Sequence, residues 1–297
     1  MVNITDATDK YLTSRKIAEC RPTTIDNYTV ELRMFCEWSA SQGVENVVRV
    51  SADCLRGYVA HLRTRRNRQS TATSWRILRR FLRWTWREYN LDGPRPWDNV
   101  EIPRVPYKQL NPVSPENVQA LIDTCDSGTF LDLRDKAILE VLYSTGVRAS
   151  ELLGMSIHDV DWQRDAIRIT HTKTYVERTV YLTKRAARTL HNYLRYRGSD
   201  HDMLWLTRSR TPMQYNTLRD VFRRRATMAD LDSVPSAHSF RRAFGLACQR
   251  AGLDISITAR LLGHADIATT MRYYVKYSDD DLRDSFHNAF SKEVCHE

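Results

Sequence analysis

Apolar residues recur along the first hundred positions at the spacing of a helix face. Between Thr23 and Ser41 they fall at Ile25, Tyr28, Leu32, Phe35 and Trp38, three or four apart, which predicts an amphipathic helix. Ser51 can cap a second helix, with Leu55, Tyr58, Val59 and Leu62 along one side. A third is predicted from Ser70 to Tyr89, with Trp75, Leu78, Leu82 and Trp86 on one face. Its arginines at 76, 80, 83 and 87 are spaced four, three and four, so they form a second stripe along the same helix.

Gly93-Pro94-Arg95-Pro96 ends this helical region, and Pro103, Pro106, Pro112 and Pro115 follow. Prolines at this density block regular structure. The expected organisation is therefore a helical domain over 1–105, a linker over 106–112 and a second domain over 113–297. Ser114 caps the first helix of the second half, and a strongly apolar helix follows over Asp132–Tyr143, ending at Ser144-Thr145-Gly146. Residues 165–182 then alternate through Ala166, Ile167, Ile169, Val176, Thr179, Val180, Tyr181 and Leu182, with a polar turn at Thr172–Tyr175. This predicts two or three short strands and the sole substantial sheet. Helices are predicted at 184–197, 215–229, 238–251, 254–262, 266–276 and 279–292. The fold class is thus mainly α with a small antiparallel β-sheet.

Charge sharpens this picture. The 297 residues hold 45 Lys and Arg against 36 Asp and Glu, a formal excess of +9 that favours polyanionic partners. Its distribution says more than its size. From Cys54 to Arg87 there is no Asp or Glu, while ten arginines stand there. A charged helix stripe is most often a plain solvated face, but without offsetting carboxylates the stripe Arg76, Arg80, Arg83 and Arg87 is read as a DNA phosphate contact. The six cysteines form no C-x-x-C pair and no zinc array with histidine, so they are read as reduced thiols, which removes structural zinc, disulfide scaffolds and redox catalysis; with no acidic metal cluster and no P-loop either, no metal or other cofactor is expected. No stretch reaches the roughly 18 apolar residues of a membrane helix, and Met1–Lys10 is too polar for a secretory signal. A cytoplasmic protein without a membrane partner is expected.

Four segments carry candidate chemistry. In Thr145-Gly146-Val147-Arg148-Ala149-Ser150-Glu151, the glycine permits a turn that puts Arg148 at a helix start, a setting suited to phosphate. Glu151, three residues on, can hold it, or the two form an ordinary surface ion pair. Lys173, in the turn His171-Thr172-Lys173-Thr174, is either solvated or able to donate a proton to a reacting oxygen. His238 and Arg241, three apart on one helix, face the same way, whereas Arg242 is expected to point to solvent or to the DNA backbone. Gly263 ends a helix and is followed at once by His264, with Tyr273 nine residues further on. A histidine at a helix start and a tyrosine pair such as Tyr273-Tyr274 are more often structural than catalytic.

Taken together, the segments resemble the tyrosine recombinase, or phage integrase, family. The resemblance covers about 113–290. It rests on the run Leu133-Arg134-Asp135-Lys136-Ala137 leading into Tyr143–Leu152, on His238-Ser239-Phe240-Arg241, and on Leu261-Gly263-His264 with Thr269 and Tyr273 in family order. It implies that Arg148 and Arg241 grip the scissile phosphate, that Lys173 is the general acid and that His238 is base or proton shuttle. It further implies that His264 donates a hydrogen bond, Glu151 orients the site and Tyr273 is the nucleophile. The expected enzyme is a site-specific recombinase without cofactor, acting on double-stranded DNA as a homo-tetramer through a Holliday junction, or as an assembly of two paired recombinases. With no arm-binding domain evident before residue 20, a simple recombinase of the Xer-like or small transposon and phage integrase kind is expected. A relaxing type IB topoisomerase and a non-catalytic DNA-binding regulator of the same fold are the alternatives.

Overall fold

The computed structural model describes residues 2–102, 111–170, 177–198, 201–264 and 283. The chain divides into two units, Met1–Lys108 and Gln109–Glu297. Among the described residues the first unit consists of α1 (Ile4–Ile17), α2 (Pro22–Ser41), α3 (Ala52–Arg65) and α4 (Arg68–Glu88), with short 3-10 turns at Val47–Arg49, before α3, and at Pro96–Asn99, after α4. Side-chain caps start three of them. Asn3 accepts from Thr5 N at 2.8 Å, Ser51 from Cys54 N at 3.1 Å and Asn67 from Ser70 N at 2.9 Å. Each such cap contributes about 1 kcal/mol.

The core of this unit lies between the helices and is aromatic, with Tyr11, Phe35, Tyr58 and Phe81 at its centre. Helix α4 shows why. Trp75, Leu78 and Leu82 are buried as expected, and Ile77, Phe81 and Trp84 widen the stripe. Truncating the fully buried Phe81 to alanine would cost about 3–5 kcal/mol. On the other side Arg76, Arg80, Arg83 and Arg87 are all exposed. Arg80 donates to Tyr28 Oη at 2.6 Å. The carboxylates nearby go to other arginines, with Glu31 on Arg66, Asp53 on Arg56 and Asp98 on Arg79.

Among the described residues the second unit contains α5 (Pro115–Asp123), α6 (Phe130–Thr145), α7 (Ala149–Leu153), β1 (Val160–Asp161), β2 (Ala166–Ile169), β3 (Arg178–Tyr181), α8 (Lys184–Arg197), α9 (Tyr215–Met228), α10 (Ala237–Arg250) and α11 (Ile255–Leu262). The three strands run antiparallel in the order β1-β2-β3, pairing Val160 with Ile167 and Ile167 with Val180. Strand β1 precedes the 165–182 stretch to which the alternation pointed. It is too short to show a period of its own. The mainly helical class with one small antiparallel sheet is borne out.

Helix α6 is the axis of this unit and packs against α5, α8 and α10. Ala137, Ile138, Leu139, Val141 and Leu142 have no exposure at all, so most of the helix surface is enclosed. Charges on an enclosed helix must be paired. Asp135, fully buried, accepts from Arg134 Nε at 3.0 Å and from Arg225 Nε at 2.9 Å. Arg225 also reaches Thr124 O at 2.7 Å, which ties α9 to the end of α5. The Arg134-Asp135 run is thus part of the scaffold.

The linker positions 106–110, the turn Thr172–Tyr175 and the predicted helices 266–276 and 279–292, apart from Arg283, lie outside the described residues. So do Lys173, Tyr273, Tyr274 and Cys295. The five described cysteines are free thiols. No described helix is long and apolar enough to cross a membrane.

Candidate active site

Helix α6 stops at Gly146, which takes the left-handed conformation at φ 60°. A Cβ at this position would lie 2.6 Å from the Phe244 ring, so the turn admits glycine alone. Two residues later Arg148 is the N-cap of α7. Glu151 holds it twice, accepting the Arg148 backbone N–H at 2.9 Å and Arg148 Nη1 at 2.6 Å. A carboxylate three residues into a helix is placed for this reciprocal contact, which is why the spacing was informative.

The second half of the site is the end of α11. Gly263 takes φ +67°, and the last carbonyls of the helix have no partner within it. Three consecutive ones are taken by three arginines. Arg178 Nε donates to Leu261 O at 3.0 Å, Arg241 Nη2 to Leu262 O at 2.6 Å and Arg148 Nη2 to Gly263 O at 3.0 Å. Arg241 Nη1 also donates to Gly146 O at 2.8 Å, so the two glycine turns are bolted together. These arginines come from β3, α10 and the start of α7. His264 follows the turn directly, its N–H donating to Ala259 O at 3.0 Å.

His238 stands in the first turn of α10, whose start Ser236 caps by accepting from Ser239 N at 3.3 Å. It shares with Arg148 and Arg241 the wall of a cleft of about 600 Å³, to which α9 adds Tyr215, Arg219 and Arg223. The electrostatics are those of a cationic pocket. Burial alone would raise the Glu151 carboxyl, yet the hydrogen bonds from Arg178 and Arg148 hold it down at about 2. Desolvation, followed by the charges of Arg241, Arg148 and Arg178, pushes His264 down to about 4. His238 is lowered too, by desolvation and then by Arg241, Arg242 and Arg148. Both histidines are therefore neutral at pH 7, each able to donate one N–H and accept one proton. Such a pocket is suited to an anion and has groups able to transfer a proton beside it.

Arg148, Glu151, His238, Arg241 and His264 are thus brought to one place. Lys173 and Tyr273 fall outside the described residues. Arg242, expected to point to solvent or to the DNA backbone, does not face solvent: it is buried, with 5 % exposed. Positions 239–243 are all buried, so α10 is enclosed on more than one face and the residue next to Arg241 gains no outward direction. Arg178 was not singled out from the sequence. Its signal is the strand period, since Arg178 alternates onto the face of the buried Val180, where a guanidinium requires partners.

The fold and this geometry agree with what the chain resembles. The model of the phage integrase family matches residues 112–279, and that of the phage integrase N-terminal SAM-like domain matches 9–89. The chain belongs to the phage integrase family. Its family relatives include the tyrosine recombinase XerD of Yersinia pestis, 30% identical over 267 residues that cover 87% of each chain. The tyrosine recombinase XerD of Haemophilus influenzae is 27% identical, over 84% of this chain and 86% of its own. Among solved structures, the Tn1549 transposon integrase in complex with transposon right end DNA superposes with a TM-score of 0.81 at 15% identity, covering 97% of this chain and 99% of that one. A lambda integrase dimer bound to a COC′ core site gives 0.73 at 15% identity, over 94% and 81%. These structures share the fold of the phage integrase family, and the relatives in sequence are tyrosine recombinases, which supports a recombinase enzyme of site-specific recombination.

Proposed function

We propose that the protein cuts and rejoins double-stranded DNA at specific sites through a covalent bond between Tyr273 and a backbone phosphate. The observation that carries this reading is the convergence of Arg148, Arg241 and His264 on the turn after α11, with His238 on the same cleft. A phosphodiester is anionic and repels a nucleophile until its charge is offset. Two guanidiniums with histidine donors can supply that offset from the protein itself. The reading therefore invokes neither a divalent ion nor ATP.

In the proposed step the Tyr273 phenol oxygen attacks phosphorus and the bond to the 5′ oxygen breaks. A phenol titrates near ~10, so its proton is passed to a neutral base, for which His238 is available. Lys173 gives a proton to the leaving 5′ oxygen. The products are a 3′-phosphotyrosine and a free 5′-hydroxyl, and the phosphoester bond is conserved for rejoining. Arg148 and Arg241 hold the non-bridging oxygens, His264 adds a hydrogen bond, and Glu151 orients Arg148. Residues 113–297 would be the catalytic domain. Residues 1–105, joined through 106–112, would clamp the duplex with Arg76, Arg80, Arg83 and Arg87. Strand exchange would run in a homo-tetramer through a Holliday junction. The DNA-bound integrases of the same fold support the duplex as partner, and the gathering of Arg148, His238, Arg241 and His264 supports chemistry over a binding module without it.

The test is a nicked suicide duplex, selected for binding from a random-sequence pool, which traps the covalent adduct. The wild type is expected to give a gel-shifted adduct, and Tyr273→Phe to give none while still binding the duplex. Adduct from Tyr273→Phe together with none from Tyr274→Phe would move the nucleophile to Tyr274. No adduct from the wild type would refute the reaction.

A further inference from the structure

Arg178 has no place in the chemistry above, yet it touches both Glu151 and the turn before His264. Its side chain is 9% exposed and Glu151's is wholly buried. It meets Glu151 as a fork, Nη1 to Oε1 at 3.1 Å and Nη2 to Oε2 at 2.8 Å. Its Nε holds Leu261 O at 3.0 Å. The same guanidinium lies against Gly263, where an added Cβ would come within 2.7 Å of Nη1. Strand β3, the start of α7 and the turn before His264 are therefore joined through one side chain.

Charge is the second half of the argument. Among the described residues, Glu151 is the one carboxylate paired with Arg148 or with Arg178. Alone with Arg148 it would form a neutral pair, and the group meant for a phosphate would arrive already cancelled. With Arg178 present, two guanidiniums share one carboxylate and the trio keeps a net positive charge. Fork geometry suits an arginine to this task, because it satisfies both carboxylate oxygens and leaves a donor for a carbonyl.

We propose that Arg178 is a positioning residue that cancels the charge of Glu151, so that Arg148 keeps its own charge for the substrate phosphate. This rests on the reading of Arg148 as a phosphate ligand given above. It differs from a purely structural pin in one consequence. If Arg178 acts by cancelling Glu151, removing the carboxylate as well restores what was lost.

The experiment compares wild type, R178Q, E151Q and R178Q/E151Q on the selected nicked duplex, with duplex affinity and thermal unfolding recorded beside the rate of adduct formation. R178Q is expected to slow adduct formation about a hundredfold, the scale of losing one electrostatic group at a reacting centre. Its duplex affinity should hold within about threefold, because many phosphate contacts lie elsewhere. The double variant should regain at least about tenfold over R178Q, a coupling that independent structural damage cannot produce. A wild-type rate for R178Q, or a double variant as slow as R178Q, overturns the proposal. Should R178Q not fold, R178K carries the test. It keeps the charge, so adduct formation is expected within about tenfold of wild type, and a loss near a hundredfold overturns the proposal. Titration with inorganic phosphate, read from the Arg148 Nε NMR signal, needs no cleavage. Affinity should fall about tenfold in R178Q and return in the double variant. If the wild type forms no adduct the recombinase chemistry fails, and this titration still decides the role of Arg178.

Discussion

Replacing Glu151 by glutamine tests the electrostatic core of the site in isolation. The carboxylate has no solvent exposure and accepts from Arg148 N, Arg148 Nη1 and both Nη atoms of Arg178. Its titration point falls from an ordinary 4.5 to about 2. At ~1.4 kcal/mol per decade that gap corresponds to about 3 kcal/mol favouring the charged, folded form. Breaking a buried ion pair by removing one charge costs about 3–5 kcal/mol, a second route to the same size. Glutamine keeps the shape and one acceptor, so the loss should sit near the lower figure. The sign with pH follows from the depressed folded-state value. The stabilisation is complete above the unfolded value and drains away as pH falls from 4.5 toward about 2. Urea unfolding followed by the NMR signal of fluorotryptophan at Trp205, which is buried in the same core, reads this unit separately. The expected difference between wild type and E151Q is about 3 kcal/mol at pH ~7, shrinking to less than half at pH ~3. A difference below about 1 kcal/mol at neutral pH, or one of equal size in acid, would refute the reasoning.

Three further outcomes follow from the geometry. Gly263→Ala forces a side chain into φ +67° and against Arg178, so adduct formation should fall by at least about tenfold; an unchanged rate would show that the turn does not set the site. His264 titrates at about 4 folded against an ordinary 6.5, so the unfolded chain binds the extra proton between those values and stability falls as pH drops through that window. The loss should reach up to about 3 kcal/mol, and His264→Gln should flatten the curve measured by urea unfolding at stepped pH. Replacing Arg80 and Arg83 by alanine should weaken duplex binding and lower the slope of log affinity against log salt by about one for each residue, whereas an unaltered slope would remove the stripe from the DNA contact.

The sequence was legible where one local rule decides the outcome. Helix α6 carries Ala137, Ile138, Leu139, Val141 and Leu142 ahead of a terminating glycine, a signal that its five charged residues do not mask. The pairing of Arg148 with Glu151 is an i,i+3 contact at a helix start, and Gly146 and Gly263 mark turns that only left-handed residues can make. Legibility failed where burial depends on the rest of the fold. Helix α1 buries Ala7 and Thr8 beside Ile4 and Tyr11, so its stripe is too faint to read. Arg242 is the neighbour of Arg241, and a helix with one solvent face would have turned it outward; α10 has less open surface than that pattern assumes. Arg178 was hidden for a related reason. Strand alternation puts it inward, but its partners Glu151 and Leu261 are 27 and 83 positions away and become visible only in three dimensions.

The most direct test of the central claim, that these arginines act by offsetting phosphate charge, is to remove that charge from the DNA. A nicked duplex with a neutral methylphosphonate at the cleavage position should react with Arg148→Ala far better, relative to wild type, than the ordinary phosphate does. The expected recovery is about a hundredfold, the worth of one electrostatic group at the reacting centre. Equal deficits of Arg148→Ala on both substrates would contradict the account.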